Sequence, residues 1–428
     1  MYSLFLSLFF GLIFIFLKKS KEKTDIYNKI LTVLIGFIIL PFFISIPYYF
    51  SIYNISFVDS LFESISGFTS TGFSIFNNIK NLDESIILWR SSSQWIGGLY
   101  FLFSLIFLID IFESNQKRSL TNFLTFNTSE TLKQYMKTFI LYIFLTFFIF
   151  IFLYFFKIRT FDSFNLSMSL ISSGGFLPVN ELGEILTTKP KQIALSLTML
   201  VSFFSLYFTY NLLNLKKNIN FFQEDFYLSV YLFFLCIIFF ILFKSEYNFS
   251  IIFLSIISSI SNIGFSIDSS YTNTKYLFLI LSIIGGSFFS NSSGLKFIKL
   301  YILFKFSVNE LISHARPKNV YIIKLFLSNL KYNISDIHKF FLSLLIFILL
   351  LIILTSFLTI SGVIFEESFK LSILTLTNTV NSHMHGLNQF NFEDLSYLNK
   401  YILMIFMIIG KVEFLTILIL IKKIFFKN

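Results

Sequence analysis

Long apolar blocks and short polar interruptions alternate along the chain. The blocks match the roughly 20 apolar residues that a helix needs to cross a bilayer. Eight of them fall at 30–50, 85–110, 136–157, 191–214, 226–243, 275–304, 338–363 and 398–424. Residues 1–17 make a ninth, shorter block without the basic leading segment of a signal peptide, and it reads as an extra span. Between the two blocks of each successive pair lies a stretch too short and too polar to cross: 51–84, 158–190, 244–274 and 364–397. Each opens as an apolar half-helix and breaks at a turn of small residues. Aligned on Gly72, Gly175, Gly264 and Asn381, the turns recur at intervals of 103, 89 and 117 residues. The chain is thus four copies of one unit, span, half-helix with turn, span, and such a repeat outranks any local motif.

The turns carry Thr69, Ser70, Thr71 and Gly72 in the first unit and Ser173, Gly174 and Gly175 in the second. The third has Asn262, Ile263 and Gly264, and the fourth Asn378, Thr379, Val380 and Asn381. Any one of these alone is an ordinary loop between membrane helices. Four in matching positions are different, because irregular backbone at membrane depth survives only when buried in protein or lining a wet cavity. A half-helix entering the membrane presents its partly negative C-terminal end to the bilayer centre, which favours a cation there. Carbonyl oxygens of the turn that follows can replace an ion's hydration shell. Asp59, Asp162 and the pair Glu366 and Glu367 suit the positive ends of the first, second and fourth half-helices. The predicted fold class is an all-α polytopic membrane protein with four span–pore-helix–span repeats in pseudo-fourfold arrangement around one ion pore. Its predicted parts are an N-terminal segment with a basic loop (1–29), repeats 1 (30–110), 2 (111–215) and 3 (216–305), and a basic loop with repeat 4 (306–428).

Charge orients this scheme. Of 33 basic residues, 22 lie on the side away from the turns, 10 on the turn side, and Lys411 lies within the last span. The basic side is cytoplasmic by the positive-inside rule, so the turns face outward from a cytoplasmic (inner) membrane. The net charge of +10 is therefore a topology signal and calls for no nucleic acid. Only 13% of residues are charged against 55% apolar, which excludes a soluble enzyme and assigns membrane lipid as the surroundings. The single cysteine, Cys236, excludes a disulfide framework and a thiolate metal cluster.

Two interruptions are candidates for control. The sixth block is broken by Gly285, Gly286, Ser287, Phe288, Phe289, Ser290, Asn291, Ser292, Ser293, Gly294, Leu295 and Lys296. A polar break at this depth lines a cavity, and just below a filter it is placed to act as a gate; the plainer alternative is a helix kink. Lys411 costs about 2.5–3.5 kcal/mol at the centre of a span, so it faces a wet path or an acidic partner. His383 and His385 stand beside the fourth turn, with His314 and His338 in the long basic loop. No third ligand at metal-site spacing accompanies the first two, so they read as solvated residues at the pore mouth and not as an intramembrane enzyme.

These residues resemble the Trk/Ktr/HKT superfamily of potassium transporters, and among them the TrkH-type membrane subunit. The likeness rests on Trp89-Arg90-Ser91-Ser92-Ser93-Gln94-Trp95-Ile96-Gly97-Gly98 after the first turn, the loop Gly285–Lys296, and Gly410-Lys411-Val412-Glu413. It spans about residues 30–424 and implies potassium as transported substrate at the filter residues, no covalent cofactor and no enzymatic activity. It further implies a homodimer gated by a cytosolic nucleotide-binding regulatory subunit, for which 305–339 offers a basic docking surface. Three residues depart from the pattern. Asn381 stands where the family has a filter glycine, which allows a sodium-permeable or pore-dead relative. The gate loop carries Phe288 and Phe289 and fewer glycines than the family pattern, and Lys411 stands where the family more often has arginine.

Overall fold

The computed structural model describes residues 26–52, 55–112, 131–213, 223–243, 248–267, 275–315, 334–387 and 390–412, with residues 416, 419 and 423 beyond them. The expected span at 1–17, most of the basic loop 305–339 and the Glu413 side chain lie outside the described residues. No strand occurs among the described residues.

The first unit is α1 (Ile26–Ser51), the half-helix α2 (Phe57–Phe68) and α3 (Glu84–Phe112). The second is α4 (Thr131–Phe155), the half-helix α5 (Thr160–Ile171), α6 (Lys189–Phe203) and α7 (Leu206–Leu213). The third is α8 (Gln223–Phe243), the half-helix α9 (Phe249–Ile260), α10 (Lys275–Ile284) and α11 (Phe297–Ala315). The fourth is α12 (Ile334–Ile360), the half-helix α13 (Phe365–Leu376) and α14 (Tyr397–Lys411).

Length separates the two helix types. Among the described residues five helices, α1, α3, α4, α8 and α12, are long and apolar enough to cross a membrane. Each half-helix has 12 residues, about 18 Å at 1.5 Å per residue, too little for a hydrocarbon core of about 30 Å. Burial sorts the long helices: 61% of the α3 window is covered against 11% for α8, so α3 is an inner wall and α8 faces outward.

The half-helices are held by their neighbours. α3 packs on α5, α6 on α9, α10 on α13 and α14 on α2, so each unit's second span braces the next half-helix and the fourth closes on the first. The order around the axis is 1-2-3-4, and units 2 and 4 lie diagonally opposite.

The sequence predicted one broken span, and there are three. The expected span 191–214 stops at Phe204, which is extended, and restarts at Leu206. The span 398–424 leaves the helix at Val412, also extended. Backbone groups freed by such breaks must find partners within the protein. At the first break they do: Asp225 accepts from the Ser205 amide (2.9 Å) and hydroxyl (3.0 Å), and the Phe203 carbonyl accepts from the Ser287 amide (3.0 Å).

Candidate functional site: four turns and a buried loop

Each half-helix ends the same way. The capping residues just past the ends, Thr69, Ser172, Ser261 and Thr377, turn their hydroxyls back onto carbonyls of the preceding turn. The next residue enters the left-handed region: Ser70 (φ 60°), Ser173 (57°), Asn262 (60°) and Asn378 (46°). The following amides return to the half-helix, Thr71 to Ser66, Gly174 to Ser169, Ile263 to Ser258 and Thr379 to Leu374. These matches fix the register without reference to residue type.

That register corrects the fourth turn. Counting from the left-handed residue, Gly72, Gly175 and Gly264 are equivalent to Val380, not to Asn381. Asn381 falls one step later, level with the buried Phe73, Phe176 and Phe265, and its amide donates to the Leu387 carbonyl at 3.4 Å. The alignment on Asn381 followed small polar residue type, whereas the end of α13 at Leu376 sets the count.

The glycine level is crowded. A Cβ added to Gly72 would lie 2.8 Å from Gly175 Cα, and one on Gly264 would lie 2.6 Å from the Val380 carbonyl oxygen. Gly72 (φ 80°) and Gly264 (φ 83°) are left-handed, while Gly175 and Val380 are not, so units 1 and 3 share one backbone form and units 2 and 4 another. Gln94 explains the second form in unit 2. Oriented to suit its neighbours, its amide oxygen accepts from Gly175 N (3.0 Å) and Phe176 N (3.1 Å), drawing the Gly175 amide off its own half-helix.

Side chains of the left-handed residues link one unit to the next. Ser173 donates to the Ser261 carbonyl, Asn262 to Thr379 Oγ1 (3.1 Å) and Asn378 to Thr71 Oγ1 (2.9 Å). The links run 2 to 3, 3 to 4 and 4 to 1. The buried Ser70 hydroxyl, which would close the ring from 1 to 2, has no partner.

The Trp89–Gly98 stretch carries the scaffold of this ring. Gly97 and Gly98 let α3 touch the ends of two half-helices: a Cβ on Gly97 would meet the Phe68 carbonyl oxygen at 1.9 Å, and one on Gly98 the Ser172 Cβ at 2.7 Å. Arg90 and Glu63, both buried, pair at 2.8 Å. Glu63 also accepts from the Ile75 amide (3.0 Å), and Arg90 lies 4.2 Å from the centre of the Phe176 ring. On the turn side, above Gly175, Gly264 and Val380, a chamber of about 200 Å3 opens, with Asn180, Glu181, Asn381 and His383 on its walls. His385 is fully buried, not solvated as the sequence suggested. The 3-10 turn 383–385 folds under the fourth turn and brings its Nδ1 to 3.3 Å from the Ser382 hydroxyl. Among the described residues no three His, Cys, Asp or Glu side chains cluster as metal ligands.

On the far side of the half-helices lies the loop Gly285–Lys296. Lys296 knits it internally, its ammonium donating to the carbonyls of Ser287 (3.2 Å), Ser290 (3.0 Å) and Ser292 (2.6 Å). Gly285 and Gly294 meet at its neck, where a Cβ on Gly285 would lie 2.1 Å from the Ser293 carbonyl oxygen; the Gly286 amide donates to Ser292 Oγ at 2.7 Å. Three backbone hydrogen bonds tie it to the break in unit 2: Ser287 to Phe203, Leu206 to Phe289 and Ser292 to Ser202. Asn291 donates to the Ile171 carbonyl at the end of α5 (2.7 Å), and Glu224 accepts from the Phe288 amide (2.9 Å). Lys411 donates to the Asn291 carbonyl (3.2 Å) and Ser293 Oγ (3.3 Å), with its ammonium 4.8 Å from the centre of the Phe101 ring. Ser205, Glu224 and Asp225 were missed from sequence. Their signal was an acidic pair at the head of an apolar block and a serine inside another.

Similarity to known proteins matches this geometry. No protein-family model matches the chain. A crystal structure of the potassium transporter TrkH from Vibrio parahaemolyticus superposes with a TM-score of 0.85 at 21% identity, covering 98% of this chain and 90% of that one. This chain has the TrkH fold. The Trk system potassium uptake protein TrkH of Salmonella typhimurium is 25% identical over 95% of this chain and 88% of its own length. An uncharacterized cation transporter of Methanocaldococcus jannaschii is 26% identical over 74% of this chain and 67% of its own. These matches show the resemblance to TrkH, and the named relatives are transporters.

Proposed function

We propose that this chain takes up potassium across a cytoplasmic membrane through a gated, channel-like pore whose filter is built from the four turns. The observation that carries the reading is the convergence of four half-helix C-termini and their turns on one axis, in a chain with the TrkH fold. Each half-helix brings the negative end of its dipole to that axis, which concentrates a cation there. Thr69 to Gly72, Ser173 to Gly175, Asn262 to Gly264 and Asn378 to Val380 supply the carbonyls that take the place of water around the ion. The pore turns face outward, as the distribution of basic residues requires. The loop Gly285–Lys296 with Lys411 blocks the path below the filter, and its displacement opens it. A homodimer and a cytosolic nucleotide-binding regulatory subunit complete the assembly.

The test is rubidium-86 uptake into liposomes holding the purified protein, with excess external potassium, sodium or lithium as competitor. Competition by potassium and not by sodium supports a potassium-selective pore. Equal competition by sodium favours a weakly selective monovalent cation conduit, the second reading, which the missing fourth glycine supports.

A further inference from the structure

Three glycines and one valine meet at the crowded level of the turns, and the valine is the odd member. Units 2 and 4 are diagonal, so Gly175 and Val380 face each other across the axis. A Cβ on Gly175 would lie 2.4 Å from Val380 Cβ and 3.0 Å from each of its γ-carbons. A Cβ on Gly264, in the adjacent unit, would lie 2.7 Å from Val380 Cγ1. The space that the glycines leave empty is therefore taken by the Val380 isopropyl group. It forms the floor of the chamber on the turn side.

Valine is sterically admissible at position 380, where the backbone is not left-handed and the facing Gly175 leaves room for it. A β-branched residue with positive φ is an outlier, and Val380 lies outside that region while Gly72 and Gly264 do not. An unhydrated cation needs oxygen on every side, and a pair of methyl groups supplies none. Apolar constrictions of this kind close a pore by expelling water.

We infer that Val380 is a specificity- and rate-determining plug on the ion axis, a second closure above the loop Gly285–Lys296. This rests on the transport reading above. Flux is set by how far the side chain at 380 reaches across the axis toward Gly175.

The experiment is rubidium-86 uptake by liposomes carrying the full chain with Val380→Gly, Val380→Ala, Val380→Leu or no change. The expected order is Gly above Ala above Val above Leu, with at least a tenfold rise for Val380→Gly and no measurable flux for Val380→Leu. A merely disrupted filter would lower flux in all three variants, and that result, or equal flux across the series, overturns the plug. Flux absent from every protein, Val380→Gly included, defeats the transport reading instead. The placement is then decided without flux by Val380→Cys in a Cys236→Ser background, treated with silver ion from the turn side. Rapid modification of the thiol upholds residue 380 as the floor of the chamber, and an unreactive thiol overturns it.

Discussion

At the scale of single residues, two kinds of constraint act on the turns. The first is steric. Gly72 combines a left-handed backbone with a 2.8 Å approach to Gly175 Cα, so Gly72→Ala has nowhere to place its methyl group. It is expected to cost about 1–3 kcal/mol of stability and to lose cation uptake. Gly183→Ala is the control: its added Cβ meets nothing nearer than Ile267 Cγ2 at 3.9 Å, and thermal unfolding with rubidium uptake should leave it unchanged. The second constraint is electrostatic. Burial lowers the His385 pKa to about 3, from an ordinary value near 6.5, with a backbone contact to Val380 acting weakly the other way. The folded form keeps this imidazole neutral, while the unfolded chain takes up a proton below pH 6.5. Its stability contribution is thus fully present above pH 6.5 and falls on acidification, by up to about 1.4 kcal/mol per pH unit until the folded pKa is reached. Thermal unfolding between pH 7 and 5 should show this loss, and His385→Gln should flatten it. The four turns were legible in the sequence as glycines and small residues at repeating intervals. The fourth register was not, because Val380 does not look like a filter residue and Asn381 does. Backbone φ at Asn378, which no composition reveals, decides between them.

At the scale of elements, the half-helices are positioned less by their own packing than by a few buried polar ties. Arg90 on α3 holds Glu63 on α2, and through it the Ile75 amide, while its guanidinium covers Phe176 of the next unit. Breaking such a pair strands a charge in the interior. Arg90→Met should cost about 3–5 kcal/mol, and adding Glu63→Gln should restore much of that, as read from denaturation of the three proteins. A surface pair would show no such recovery. The motif Trp89–Gly98 exposed this region from sequence, yet the partner Glu63 lies 27 positions earlier and carries no local pattern. The breaks after Phe203 and at Val412 were equally hidden. Apart from Ser205 their residues are apolar, and at the first break partners on other elements, Asp225 and the loop Gly285–Lys296, draw the backbone out of the helix.

At the scale of the whole molecule, every unit reaches the loop Gly285–Lys296. Unit 1 offers the Phe101 ring, 5.6 Å from the Lys296 ammonium, unit 2 the Ile171 carbonyl and the break at 202–206, unit 3 Glu224, and unit 4 Lys411. The four-unit plan and the loop were plain in the chain's pattern, whereas this convergence depends on the ring closure of unit 4 onto unit 1. Lys411 ties the last span to the loop through Asn291 and Ser293, so Lys411→Met should free one edge of the loop and raise rubidium flux severalfold in protein without any partner. Lys411→Arg keeps the charge and should stay close to the parent.

The three backbone hydrogen bonds between that loop and residues 202–206 have a further meaning when expressed as populations. They share one short segment on each side, so they break together. At about 1 kcal/mol net for each, losing these three alone places the displaced loop about 3 kcal/mol above the seated one, and the contacts of Asn291, Glu224 and Lys411 add to the gap. Left to itself, the molecule then holds the loop displaced for at most on the order of one part in a hundred of its time. In the gated pore proposed above, turnover in isolation is expected to be a leak of no more than about a hundredth of the full rate. A partner would have to prefer the displaced form by at least on the order of a hundredfold to bring the two forms level.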